Sequence, residues 1–120
     1  MDDDANCRSA IGDIVASELP EAEIYQADSA RVAVWEILQQ PVDIVITDFY
    51  MPEMDGGCLS ERLRAARFSG WIIVISGDPD VADVIAKCGA SGFVYKMRMV
   101  EELPLRLREV FGDDASKSNE

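Results

Sequence analysis

A chain of 120 residues, 48% hydrophobic and 28% charged, has the size and composition of one ordinary folded domain and not of a disordered polymer. It contains no histidine, and its three cysteines (Cys7, Cys58, Cys88) share no Cys-x-x-Cys spacing, which excludes the usual zinc sites, a serine–histidine triad and histidine-ligated haem. The net charge of −12 argues against direct nucleic-acid binding, and the longest apolar run, Trp71–Ile75, is far too short to cross a bilayer. Scattered thiols and the acidic start Asp2-Asp3-Asp4, the opposite of a signal-peptide n-region, predict a cytoplasmic protein.

In chain order, Ile11, Ile14, Val15 and Leu19 recur at helical spacing until Pro20 ends the segment. Ala22–Ala27 reads as a short strand. A second helix carries Val32, Trp35, Ile37 and Leu38 behind an N-cap at Asp28 or Ser29. The β-branched run 42–47 reads as a buried strand ending at Asp48. Gly56-Gly57 open a third helix with Leu59, Leu63 and Ala66. Trp71–Ile75 is the next buried strand, ending at Ser76, and Asp78-Pro79 start a fourth helix that closes at Cys88-Gly89. Gly92–Tyr95 is the last strand, ending at Lys96. A final helix carries Leu103, Leu107, Val110 and Phe111; Pro104 restricts its start to about Glu101–Leu103. Trp35 and Trp71 are expected to be packing residues. Residues 1–111 are expected to form the domain and 112–120 a polar tail.

Steady alternation of helix and strand implies right-handed crossovers and a doubly wound α/β fold, a parallel sheet with helices on both faces. Such sheets bind ligands beyond the carboxyl ends of their strands. Asp48, Ser76 and Lys96 end three apolar runs, and Asp2–Asp4 directly precede the first helix. If that acidic cluster also ends a strand, several carboxylates, a hydroxyl and an ammonium share one cleft. Carboxylates about 4 Å apart repel by roughly 4 kcal/mol at an effective dielectric near 20. Such a cluster calls for a cation, and an all-oxygen donor set suits Mg²⁺.

The chain resembles, over essentially its whole length, the receiver domain of two-component response regulators of the chemotaxis-regulator kind. The resemblance rests on Asp2-Asp3, on Asp48-Phe49-Tyr50-Met51-Pro52-Glu53-Met54-Asp55-Gly56, on Ser76-Gly77, and on Gly89–Lys96. It implies a flavodoxin-like sheet of order 2-1-3-4-5, the order that general accounts of doubly wound folds give for a receiver protein. It also implies that Asp48 accepts a phosphoryl group from a histidine kinase or a histidine phosphotransfer protein. Asp3 and Asp48 would ligate Mg²⁺ directly, with the backbone carbonyl of Tyr50 as a third ligand and Asp2 acting through water. Lys96 and Ser76 would contact phosphoryl oxygens. Ser76 and Phe93 would form a switch acting on the face of the fourth helix, last strand and last helix, where a downstream protein or second copy would dock. Tyr50 and Asp78 would tune the lifetime of the phosphorylated state.

On this reading the protein is not an enzyme on a separate substrate; it catalyses only its own phosphorylation and dephosphorylation, with no nucleic-acid or membrane partner. An alternative is a pseudo-receiver that cannot be phosphorylated and acts by protein contact. A phosphohydrolase of the haloacid dehalogenase type would need Asp where Tyr50 stands. Three departures from the family pattern stand out. Met97 replaces the usual proline after the lysine, which predicts a trans Lys96–Met97 bond. Ser76 stands where threonine is commoner. Nothing before Met1 supplies the family's apolar first strand, central in the sheet. The sequence is therefore expected to be a receiver shortened by about five to eight residues, with a gap that is filled by another segment or chain or closed by direct pairing of Tyr25 with Ile44.

Overall fold

The computed structural model describes Asp2 and residues 4–111. The expected tail, 112–120, and Asp3 lie outside the described residues. The helices are α1 (Ala5–Glu18), α2 (Ala30–Gln39), α3 (Gly56–Ala65), α4 (Ala82–Lys87) and α5 (Met99–Phe111). The strands are β1 (Ile44–Asp48), β2 (Trp71–Ser76) and β3 (Gly92–Tyr95). They pair in parallel in the order β1-β2-β3, with Asp48 opposite Ile75 and Ser76 opposite Tyr95.

The two-residue period of a strand sorts the core into two layers. Ile72 and Val74 pack with Leu59, Leu63 and Ile85 of α3 and α4, and with Ala30 of α2. Ile73 and Ile75 pack on the other face with Ile11 and Val15 of α1 and Leu103 and Leu107 of α5. The fold is therefore doubly wound α/β of the flavodoxin kind, and β1-β2-β3 form the 3-4-5 part of the expected order. Side-chain caps set the helix starts: Asp4 accepts from the Asn6 amide, Ser29 from Val32 and Asp55 from Cys58.

Four expectations are corrected. Ala22–Ala27 forms no strand, because among the described residues no strand pairs with it. Among the described residues it makes no ladder with β1. Second, α2 turns Ala30, Ala33, Val34 and Ile37 to the core, the i, i+3, i+4, i+7 stripe, which leaves Trp35 64% exposed with Val32 and Leu38 beside it. Trp71, at the start of β2, is 44% exposed, so neither tryptophan is a core residue. Third, the fourth helix begins as a 3₁₀ turn, Pro79–Val81, before α4. Fourth, α5 starts at Met99 after the 3₁₀ turn Lys96–Arg98, so Pro104 lies inside the helix. Proline removes the bond to the carbonyl four residues back, Val100, and that residue is strongly exposed, so water can satisfy it. The Lys96–Met97 bond is trans, as expected.

Candidate functional site

Asp48, Ser76 and Lys96 meet at the carboxyl edge of the sheet because β1, β2 and β3 all run the same way and end there. Register holds Asp48 in place: the next amide, Phe49, donates to the Ile75 carbonyl at 2.8 Å, and Thr47 Oγ1 donates to the Asp48 carbonyl at 2.9 Å. Gly56 lets the start of α3 close over this strand end. A Cβ there would sit 3.0 Å from Val74 Cγ1 and 3.1 Å from the Asp48 carbonyl oxygen.

Lys96 Nζ lies 3.4 Å from Asp48 Oδ2 and 3.9 Å from Asp2 Oδ2. Asp2 is 1% exposed and Asp48 7%. Asp2 is held at both ends of its own residue: Arg8 Nη1 donates to its carbonyl at 2.7 Å, and the Asp4 amide to its Oδ1 at 2.9 Å. Burial pushes the Asp48 carboxyl above its usual range and Asp2 adds to the push, while Lys96 and the Phe49 amide only partly offset it. Burial pulls Lys96 down, but the Cys7 thiol, Asp48 and Asp2 outweigh it and leave the ammonium more basic than usual. One ammonium thus faces two buried carboxylates.

The structure brings together Asp2, Asp48 and Lys96. Ser76 is fully buried one residue beyond the Asp48 register, but its hydroxyl accepts the Asp78 amide at 3.0 Å. Phe93 packs half-buried against the α3–α4 core layer, opposite Val74, and its carbonyl meets Arg106 Nε at 3.5 Å. Tyr50 is exposed, its ring edge-on to Phe49, and its hydroxyl donates to Asp78 Oδ2 at 3.3 Å. The two residues expected to act separately on lifetime are therefore joined across the cleft. Asp2, expected to act on the metal through water, is seated beside Lys96. Among the described residues, no group of three His, Cys, Asp or Glu side chains forms a metal cluster.

Sequence reading passed over Cys7 and the role of Arg8. Both lie in the first turns of α1, which the acidic run hides as a plain capping signal; their nearness to Lys96 and Asp2 follows from α1 packing beside α5.

A doubly wound α/β domain with a buried aspartate pair and a lysine at the carboxyl edge of its sheet is the architecture of the receiver class of signalling domains. The chain belongs to the response regulator receiver domain family, whose profile matches residues 1–108. It is 33% identical over 99 residues to the transcriptional regulatory protein AruR of Pseudomonas aeruginosa, covering 81% of this chain and 38% of AruR. It is 28% identical over 124 residues to the transcriptional regulatory protein RprY of Bacteroides fragilis, covering 98% of this chain and 52% of RprY. The chain thus spans about half the length or less of these curated relatives. The response regulator TrrA of Thermotoga maritima, solved with Mg²⁺-BeF, shares the fold at a TM-score of 0.81 and 22% identity, covering 91% of this chain and 93% of TrrA.

Proposed function

We propose that Asp48 is the phosphoacceptor of a two-component pathway. The observation that carries this reading is the Lys96 ammonium set between the buried carboxylates of Asp48 and Asp2. A carboxylate oxygen of Asp48 attacks the phosphorus of a phosphohistidine on a histidine kinase or phosphotransfer protein. The P–N bond breaks, its electron pair stays on the imidazole, and Asp48 becomes an acyl phosphate. Lys96, already directed at Asp48, neutralises a phosphoryl oxygen. Ser76 would exchange the Asp78 amide for a second phosphoryl oxygen, and that movement gives Phe93 room to turn and change the face of α4, β3 and α5. A downstream protein or a second copy would read that face.

The donor set fits Mg²⁺. Asp2, Asp48 and the Tyr50 carbonyl offer oxygen alone, and the excess negative charge left after Lys96 favours a divalent cation that keeps several waters. Bound there, Mg²⁺ would supply charge neutralisation for phosphoryl transfer. Asp3 completes the set that the family resemblance implies. We place the protein in the cytoplasm, where such kinases act; among the described residues no helix is long and apolar enough to cross a membrane. The domain acts as a switch and not as an enzyme on a separate substrate.

The test is incubation with Mg²⁺ and acetyl phosphate, followed by intact mass. The expected result is an acid-stable, hydroxylamine-sensitive phosphoryl adduct that is abolished in Asp48→Asn. No adduct on the parent chain would establish the pseudo-receiver reading instead. In the same assay Tyr50→Ala is expected to lose the adduct several-fold faster, because the ring and its bond to Asp78 no longer screen Asp48 from water. An unchanged decay rate would remove Tyr50 from the lifetime mechanism.

A further inference from the structure

The strand β3 ends at the residue before Lys96, and α5 grips that end by its backbone. Among the described residues β3 pairs with β2 alone. The backbone groups of a strand alternate between its two sides, so those of Phe93 and Tyr95 point the same way. Side chains one turn apart on α5 meet both. Glu102 Oε1 accepts the Tyr95 amide at 3.3 Å, and Arg106 Nε donates to the Phe93 carbonyl at 3.5 Å. Residues i and i+4 share a helix face, so one helix can offer an acceptor and a donor to alternate residues of a strand.

The turn that carries Lys96 has little else to fix it. Met97 leaves φ free where a proline would lock it, and its side chain is 80% exposed. The 3₁₀ turn Lys96–Arg98 has no side-chain cap at its start. Glu102 reaches both ends of this turn. Its Oε1 takes the Tyr95 amide just before Lys96, and its Oε2 lies 3.7 Å from Arg98 Nε just after it. The contact with Arg98 is the weaker, because that guanidinium is 60% exposed and also pairs with Glu101 at 3.0 Å. The bond from the Tyr95 amide is the stronger, since it goes to a charged acceptor that is largely shielded from water. We propose that Glu102 is the positioning residue of Lys96: by taking the Tyr95 amide it sets where β3 ends, and so where the ammonium stands against Asp48. Its effect on phosphoryl transfer rests on the phosphoacceptor reading of Asp48; the restraint on Lys96 does not.

The experiment compares the whole parent chain with Glu102→Met, Glu102→Gln and Arg98→Met. It reads hydrogen exchange at the Tyr95 amide, the acetylation of Lys96 by sulfo-NHS-acetate relative to the exposed Lys87, and acyl phosphate formation from acetyl phosphate with Mg²⁺. Methionine keeps the stem of Glu102 and removes both oxygens. In Glu102→Met the Tyr95 amide is expected to exchange at least about tenfold faster. Lys96 is expected to be acetylated several-fold faster with Lys87 unchanged, and the adduct to form at least about tenfold more slowly. Glutamine still offers an oxygen to the Tyr95 amide, so Glu102→Gln is expected to stay within about threefold of the parent in all three readouts. Arg98→Met removes only the weaker contact and is expected to do the same. Unchanged acetylation of Lys96 in Glu102→Met, or an equal rise at Lys87, would overturn the proposal. So would Glu102→Gln or Arg98→Met behaving like Glu102→Met. If the parent itself forms no acyl phosphate, the phosphoacceptor reading falls, while exchange and acetylation still decide the role of Glu102.

Discussion

Replacing Arg64 by methionine is expected to lower the unfolding free energy by about 3 kcal/mol, read as a fall in the urea midpoint with an unchanged slope. Arg64 sits in the last turn of α3 and ties three pieces of chain together. Its Nε donates to the Gly89 carbonyl at 2.9 Å, its Nη1 to the carbonyls of Phe68 and Gly70 at 2.8 Å each, and its Nη2 to Ser91 Oγ at 3.2 Å. Those partners flank β2 and β3, so the fork fixes the loops that enter both strands. Ser91 passes the restraint on, accepting the Ile72 amide at 3.0 Å and donating its own amide to the Ile72 carbonyl at 2.7 Å. Hydrogen bonds from a charged donor contribute roughly 1.5–3 kcal/mol each, and water can replace some of them here because the group is only half-buried. Methionine keeps the apolar stem, so the loss reports the bonds and not the packing. Lysine is not expected to rescue, since one ammonium cannot reach carbonyls disposed around a planar fork. Gly89 belongs to the same device: its φ of +94° needs glycine, and a Cβ would lie 2.8 Å from Arg64 Cγ. A midpoint shift worth less than about 0.5 kcal/mol would place Arg64 among ordinary surface residues.

What the sequence makes legible follows from whether the determinant is local. The strands β2 and β3 have the expected bounds to within one residue, because a β-branched run flanked by Gly or polar residues is encoded where it stands. Asp48 and Lys96 were legible for a related reason: in a parallel sheet the residue that ends each apolar run must reach the same edge. The stretch 22–27 was misread because a strand is a property of its neighbours: its own letters suit an edge, but among the described residues no strand pairs with it. The face of α2 was misread because three large apolar residues, Val32, Trp35 and Leu38, outweigh two alanines to the eye, while the core accepts the alanines and leaves the tryptophan outside. Arg64 was invisible because its targets are backbone carbonyls, which no residue letter marks. The link between Tyr50 and Asp78 crosses from one strand end to the next, and the two had been assigned to one task without a sign that they touch.

Removing the ammonium from the site is expected to cost stability in a way that depends on pH. In Lys96→Met, Asp2 and Asp48 remain buried with no compensating side-chain cation in contact among the described residues. Breaking a buried pair by deleting one partner costs about 3–5 kcal/mol, and a lysine side chain that is 35% exposed argues for a smaller loss, about 2 kcal/mol at neutral pH. The sign follows from Asp48. Its carboxyl is raised in the folded protein by burial first and by Asp2 next, so the fold favours the protonated form. Its ionisation therefore subtracts stability, beginning as the pH rises past the unfolded carboxyl value of about 3.9 and complete above the raised folded value. Deleting Lys96 removes the main opposing pull and carries Asp48 higher, which widens that window upward. The deficit of the variant should be larger at pH 7 and shrink as the pH approaches 4, where the raised folded carboxyl increasingly holds its proton in both proteins. Urea midpoints of the two proteins at pH 7 and pH 4 measure this directly. A deficit of equal size at both values would mean that the stem's packing was lost and that the ammonium contributes no net compensation to the aspartate pair.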